Sequence, residues 1–390
     1  MKDRKSKDNG RQGLSRRDFL RVGGAGVAGL GGLATLGSLP HGVSLGVPAA
    51  AQQQEDGQAH AHSSFGTVGQ VDHEANGFTP EELLYDFDYG QVRQEGGRTV
   101  REWQITAMDR DFEIAPGVHF PGWVYGSTTS AASRRAGRIV GQCPGPTLRC
   151  VEGDYLRVEF INASSHPHTI HFHSIHAGSM DGVPGAGPGV IEPGGRFTYE
   201  MVAAPFGCHL YHCHALPLKR HIHKGLYGAF IIDPDPEKYE GEEKEIARTR
   251  NHQYPENQQF NEMVMVMNAF DTNFDGANEV YAINTIAFGY GMDNPIVIRH
   301  DQRQRIYLVN VTEFDPINSL HTHANFFDYY DHGTTLKPTQ KTVDTIMQCQ
   351  AQRGILELSF EGFEPNLYMF HAHQSEFAEL GWMGFFKVEG

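Results

Sequence analysis

His212, Cys213 and His214 follow one another in Tyr211-His212-Cys213-His214. In an extended strand, successive side chains point to opposite faces. The two imidazoles therefore share one face and the thiol takes the other, so one short strand can reach two metal centres at once. His168-Thr169-Ile170-His171-Phe172-His173 repeats the pattern. His171 and His173 share a face, and His168, an odd number of residues earlier, faces the other way. Cys213, His168 and His221 then form a Cys-plus-two-His set, the donor set of a blue-copper electron-transfer site. His223 follows Cys213 at an equally plausible distance, and His166 is the alternative to His168. The opposite face carries four imidazoles, and His321, His323, His371 and His373 near the C-terminus supply four more.

These elements, in this order, resemble the multicopper oxidases of the two-domain, laccase-like kind, which are related in architecture to copper nitrite reductases. The resemblance runs from about Gly141 to the C-terminus. It implies a type 1 copper that collects electrons from a reducing substrate, and a cluster of one type 2 and two type 3 coppers that reduces dioxygen to water, four coppers per chain. His221-Ile222-His223-Lys224-Gly225-Leu226 matches the family's His-x-x-x-Gly-Met/Leu ending when His221 is the ligand. The spacing of His168 to His171 fits the family pattern and that of His166 does not. Leu226 then stands at the axial position, where it cannot donate to copper and should raise the potential. By the same resemblance His171 and His321 bind the type 2 copper, and His173, His212, His214, His323, His371 and His373 bind the type 3 pair. Asp181, in Met180-Asp181-Gly182, matches an acidic residue that the family uses near the cluster; Glu376 is a second candidate. The second half lacks a type 1 set of its own: Asn318, Ala372, Phe377 and Trp382 stand where its ligands would fall.

Two other functions share parts of this pattern. A copper nitrite reductase needs three His at its catalytic copper, with an Asp where this chain has His171, and lacks the equivalent of His214. A copper carrier would not need eight cluster imidazoles coupled to a thiolate. The expected partners are dioxygen and a small reductant, phenolic or a metal ion. Each half supplies only half a cluster and no middle domain acts as spacer, so the resemblance implies a homotrimer with clusters between chains.

The elements that must position these residues read as all-β. From Thr99, short alternating runs are broken by Gly and Pro, which suggests Greek-key sandwiches. We expect two cupredoxin-like Greek-key β-sandwich domains, 99–234 and 260–390, joined by a solvated linker at 235–259. Residues 52–98 read as a largely flexible N-terminal arm in which His60 and His62 are solvated. Residues 1–51 read as a twin-arginine signal peptide: Ser15-Arg16-Arg17-Asp18-Phe19-Leu20 precedes a Gly/Ala-rich apolar run, and Ala49-Ala50-Ala51 would suit cleavage. This predicts export by the twin-arginine route to a periplasmic or extracellular location, with no membrane span after processing. The chain has 390 residues and a formal charge of −15; losing residues 1–51 removes eight Lys/Arg and three Asp/Glu, leaving −20. Such acidity argues against nucleic-acid partners. Cys143, Cys150, Cys208 and Cys349 permit no disulfide assignment from sequence. Met263, Met265 and Met267 read as a core strand, and Asp271–Gly276 as a turn, since Ala282 stands where a calcium loop needs Glu.

Overall fold

The computed structural model describes residues 69–390; the signal peptide, His60 and His62 lie outside them. The chain folds as two β-sandwiches. In the first, one sheet runs in the order Phe87–Asp88, Gly145–Val151, Tyr227–Asp233, Gly207–His212 and His171–Phe172. It packs against a sheet built on the long strand Arg98–Ala115, which pairs with Val118–Ser127, Tyr155–Asn162 and Gln91–Glu95. The second sandwich sets a six-stranded sheet around Phe260–Phe270 and Arg303–Asn310 against a five-stranded sheet. The latter places Ile317–Thr322 between Leu367–His371 and Thr345–Cys349.

The sandwiches share one apolar cluster, in which Phe112, Phe120, Leu210 and Ile231 of the first meet Met263, Met265, Met267 and Tyr281 of the second. The Met263–Met267 stretch is buried on both faces, so the methionine stripe is core packing and offers no surface sulfur.

Two segments differ from expectation. The described part of the expected flexible arm, residues 69–98, is folded onto the first sandwich. Thr79 and Glu82 form a reciprocal capping box on the helix Pro80–Tyr85, and Phe78, Leu83 and Leu84 enter the shared core. These three apolar side chains are what the polar stretch before them conceals. The expected solvated linker carries the helix Gly241–Arg250, with Ala247 and Arg250 buried. The residue that anchors it, Arg250, lies over Tyr330 at 3.9 Å and donates to the Thr335 carbonyl.

Arg250 belongs to a buried ionic chain across the domain junction. Arg149 pairs with Asp233 at 3.1 Å and with Glu262 at 2.6 Å. Arg305 pairs with Glu262 at 3.1 Å and with Glu357 at 2.8 Å, and Arg250 stands 3.8 Å from Glu357. Three guanidinium groups thus meet three carboxylates. Burial alone would raise the Glu262 carboxyl; Arg149 and Arg305 instead hold it down to about 2. Glu262→Gln leaves both arginines short of charge in a site with little water, and should cost about 3–5 kcal/mol of unfolding free energy. Guanidinium denaturation checks this, and a loss below about 1 kcal/mol would mean that the junction relies on its apolar core alone.

Candidate metal centre

The strand Gly207–His212 stops one residue short of Cys213, and its register decides who meets whom. His171 stands opposite His212 in the antiparallel pair, as His321 stands opposite His371 in the second domain. The strand expected over His168–His173 is only two residues long, His171–Phe172. His168 is instead held by a two-way backbone bridge to Ile191, at 3.1 and 2.9 Å. The opposite facing of His168 and His171 thus comes from this bridge and not from strand pleating.

His168, Cys213 and His221 converge in a fully enclosed pocket. The His168 and His221 Nδ1 atoms lie 3.1 Å apart, and Cys213 Sγ is 3.3 Å from His221 Nδ1 and 3.8 Å from His168 Nδ1. Ser164 Oγ engages His168 Nε2 at 2.9 Å, which leaves the Nδ1 lone pair for the centre. Burial, with the neighbouring imidazole, pushes His168 down to about 3, and burial pushes His221 down to about 4. Burial likewise raises the Cys213 thiol. Two neutral imidazoles and a sulfur aimed at one point suit a soft cation, which would also hold the thiolate form. The Thr169 amide, 3.4 Å from Sγ, adds a donor to that sulfur. Leu226 is fully buried, and its backbone brackets the site: its amide donates to His221 O and its carbonyl accepts from Cys213 N. His166 turns outward over Trp123, and His223 turns away to accept the Asp271 amide at 2.9 Å.

On the other side of Cys213, His171, His173 and His212 form a second group. The Nε2 atoms of His173 and His212 are 3.0 Å apart. His212 Nδ1 donates to the Cys213 carbonyl at 2.9 Å, which fixes the tautomer that frees Nε2. Burial pushes His173 to about 2 and His212 to about 4. His214 packs 5.4 Å from the His171 ring, and its Nδ1 is buried without a hydrogen-bond partner. Asp181 Oδ1 takes a hydrogen bond from His171 Nδ1 at 2.8 Å, and His176 joins them in a further group of three. His209 is buried and donates through Nε2 to Pro205 O.

The second domain repeats this arrangement. His323 and His371 Nε2 are 3.0 Å apart, His371 Nδ1 donates to Ala372 O, and His321 Nδ1 engages the Asp344 carbonyl and Thr345 Oγ1. His373 stands 5.2 Å from the His321 ring. Here His323 and His373 are exposed. Among the described residues, every such group takes all its members from one domain. Glu376 is exposed.

Multicopper oxidase family models match residues 124–237 and 254–390. A crystal structure of a multicopper oxidase is 49% identical, with a TM-score of 0.70 over 82% of this chain and 100% of its own. The chain belongs to the multicopper oxidase family. Copper resistance protein A of Escherichia coli is 36% identical over 117 residues, 29% of this chain and 19% of that protein. The copper-containing nitrite reductase of Neisseria gonorrhoeae is 29% identical over 133 residues, 34% of this chain and 29% of its own length. The chain thus matches less than a third of the length of either curated relative, and its kinship extends to nitrite reductases. Family membership implies copper binding, and the donor sets above suit it.

Within this multicopper oxidase the second domain shows what replaces a lost set. Cys213 N donates to Leu226 O at 3.0 Å, and Ala372 N donates to Trp382 O at 3.2 Å; Leu226 N reaches His221 O as Trp382 N reaches Phe377 O. Ala372, Phe377 and Trp382 therefore occupy the backbone positions of Cys213, His221 and Leu226, and fill the space with apolar packing. Phe377 stacks on Tyr281 at 4.0 Å. Asn318 is buried and donates to Thr312 Oγ1. Sequence reading passed over Thr169 and Ser319, whose hydroxyls hold the amides of His214 and His373 at 2.9 and 2.8 Å. A hydroxyl residue directly after His168 and again after Asn318 was the available signal. Trp123, packed 4.8 Å from His221 and 5.2 Å from His168, carried none. All five cysteines are unpaired, and Cys349 alone is exposed.

Proposed function

We propose that the protein couples one-electron oxidation of a small reductant, phenolic or a metal ion, to four-electron reduction of dioxygen to water. The observation that carries this reading is the sequence continuity of His212, Cys213 and His214 across two donor sets, a thiol facing one and imidazoles the other. Copper bound there would supply one-electron storage at the sulfur set and dioxygen reduction at the imidazole sets. His168, Cys213 and His221 would hold the type 1 ion, with Leu226 axial and non-coordinating. His171 and His321 would hold type 2, and His173, His212, His214, His323, His371 and His373 the type 3 pair, four coppers per chain. The Cys213 backbone gives a covalent electron path between them. Asp181 orients His171 and stands ready to hold a proton near the cluster. Nitrite reduction is the weaker reading, because His171 and His214 complete an eight-imidazole set that a three-histidine copper does not use.

Two half-sets in separate domains, one of them open to solvent, favour assembly as a homotrimeric ring in which domain one of each chain meets domain two of the next. Among the described residues no helix is long and apolar enough to cross a membrane; export by the twin-arginine route to the periplasm or outside remains our proposal from residues 1–51. Oxygen uptake screened with phenols, Cu(I), Fe(II) and Mn(II), together with copper counted per chain, tests the reading. Four coppers and oxygen uptake support it; two coppers with nitrite turnover overturn it.

Leu226→Met should lower the potential of the sulfur site and slow oxidation of high-potential phenols, because a weak thioether donor stabilises Cu(II). Redox titration at the blue band reads this. An unchanged or higher potential would remove Leu226 from the axial position.

A further inference from the structure

A cleft of about 510 Å³ opens between the two domains beside the sulfur site. Its wall in the first domain is the helix Leu218–His223, which carries His221 and continues into Lys224. Its wall in the second domain holds Phe274 and Phe314. Both phenylalanines sit at left-handed φ, 61° and 69°, a conformation that bulky side chains rarely adopt and that gathers at ligand sites. Phe274 is about half exposed, so core packing does not account for its position.

The charges are arranged around these rings. Lys224 Nζ lies 4.4 Å from the Phe274 ring centre and Lys219 Nζ 5.0 Å from that of Phe314, while Arg220 lies over Trp123 at 5.2 Å. Buried His223 forms the floor, edge-on to both phenylalanines at 5.9 and 5.0 Å. Two carboxylates also border the cleft, Asp271 and Asp275. The Asp271 oxygens accept the amides of Asp275 and Gly276, and Asp275 accepts that of Ala277. With buried Glu279 they form a three-carboxylate group whose oxygens lie within 4.8 Å of one another, Glu279 accepting from Thr272 and Asn273. Lys224 Nζ donates to Pro121 O, so the exposed cations at the cleft are Lys219 and Arg220. Exposed cations beside two aromatic rings favour an aromatic anion.

We propose that this cleft binds the reducing substrate, and that the substrate is a phenol carrying a carboxylate, its ring against Phe274 and Phe314 and its acid group toward Lys219, Arg220 and Lys224. This rests on the oxidase reading above and narrows it to one substrate class. Trp123, beneath Arg220 and Lys224 and against the His221 and His168 rings, joins the cleft to the sulfur site. Each phenol gives up one electron to that site and its phenolic proton to water, leaving a phenoxyl radical. Four such events match one dioxygen, which takes four electrons and four protons to become two waters.

The test uses the copper-loaded enzyme and two readouts. Calorimetric titration with 4-methoxybenzoate, which has no phenolic hydrogen and is not turned over, measures binding alone. Lys219→Glu and Phe274→Asn, both at exposed positions, should each weaken it, with the charge reversal costing about three- to tenfold. The second readout is the ratio of kcat/KM for ferulate to that for methyl ferulate, which differ only in the charge. The wild-type ratio should exceed one and fall about three- to tenfold in Lys219→Glu, while Lys387→Glu, an exposed lysine outside the cleft, leaves it in place. A ratio of one in the wild type, or methoxybenzoate affinity unmoved by either cleft variant, overturns the proposal. Absence of oxygen uptake with both phenols also overturns the proposal; only its absence with Cu(I), Fe(II) and Mn(II) as well overturns the oxidase reading itself, and the methoxybenzoate titration, which needs no turnover, separates binding at the cleft from both.

Discussion

Cys213→Ser is expected to give a folded, colourless protein whose oxygen uptake with any phenol falls to background. The sulfur is the one soft donor in the pocket and also the link between the two donor sets. Serine is nearly isosteric, so the enclosed pocket keeps its shape, and Thr169 can still donate toward the new hydroxyl. A hydroxyl with a pKa far above that of a thiol does not supply the charge-transfer partner that makes such sites blue. Absorption in the visible region and an oxygen electrode read the two effects separately. Retention of an intense blue band in the serine variant would sink the assignment of the sulfur site. Loss of colour with undiminished oxygen uptake would show instead that electrons enter without passing Cys213.

The second large effect concerns assembly. A His171→Ala/His173→Ala chain and a His371→Ala/His373→Ala chain should each be inactive alone, because each destroys one half-set. Refolded together with copper, they should regain activity. In a head-to-tail ring every site takes its first-domain half from one chain and its second-domain half from the next. With equal, random mixing, about one quarter of the sites pair two intact halves. Every ring that holds both chain types has one such site in three, so oxygen uptake near about one third of wild type in verified mixed trimers is the expected result; none would mean that the halves close within single chains. Metal removal should loosen the ring in proportion, since copper shared between chains links folding to association. Sedimentation with and without chelator reads this. The exposure of His323 and His373, on a domain whose other histidines are only partly covered, is the structural reason to expect it.

Donor identity and alternation were legible without any structure. Successive residues of an extended chain must face opposite ways, so the opposition of Cys213 to His212 and His214 follows from covalent geometry alone. The all-β architecture was legible for the same reason: alternating runs punctuated by Gly and Pro have few other ways to bury one face. The pairing of His171 with His212, and of His321 with His371, depends instead on hydrogen-bond register between strands far apart in sequence. The family spacing already favoured His168 over His166 and His221 over His223; what holds those rings in place, the bridge to Ile191 and the turn of a short helix, is set by tertiary contacts. The folding of residues 69–98 and the burial of Arg250 escaped local reading because neither makes sense without its partner surface. Phe78 and Leu84 are apolar only to the benefit of a core built from both sandwiches, and Arg250 tolerates burial only beside Glu357 and Tyr330. The cleft between Lys219 and Phe314 is likewise a product of the domain junction. Local periodicity reports which face a side chain takes; which side chain from another domain it then meets is a matter of long-range packing.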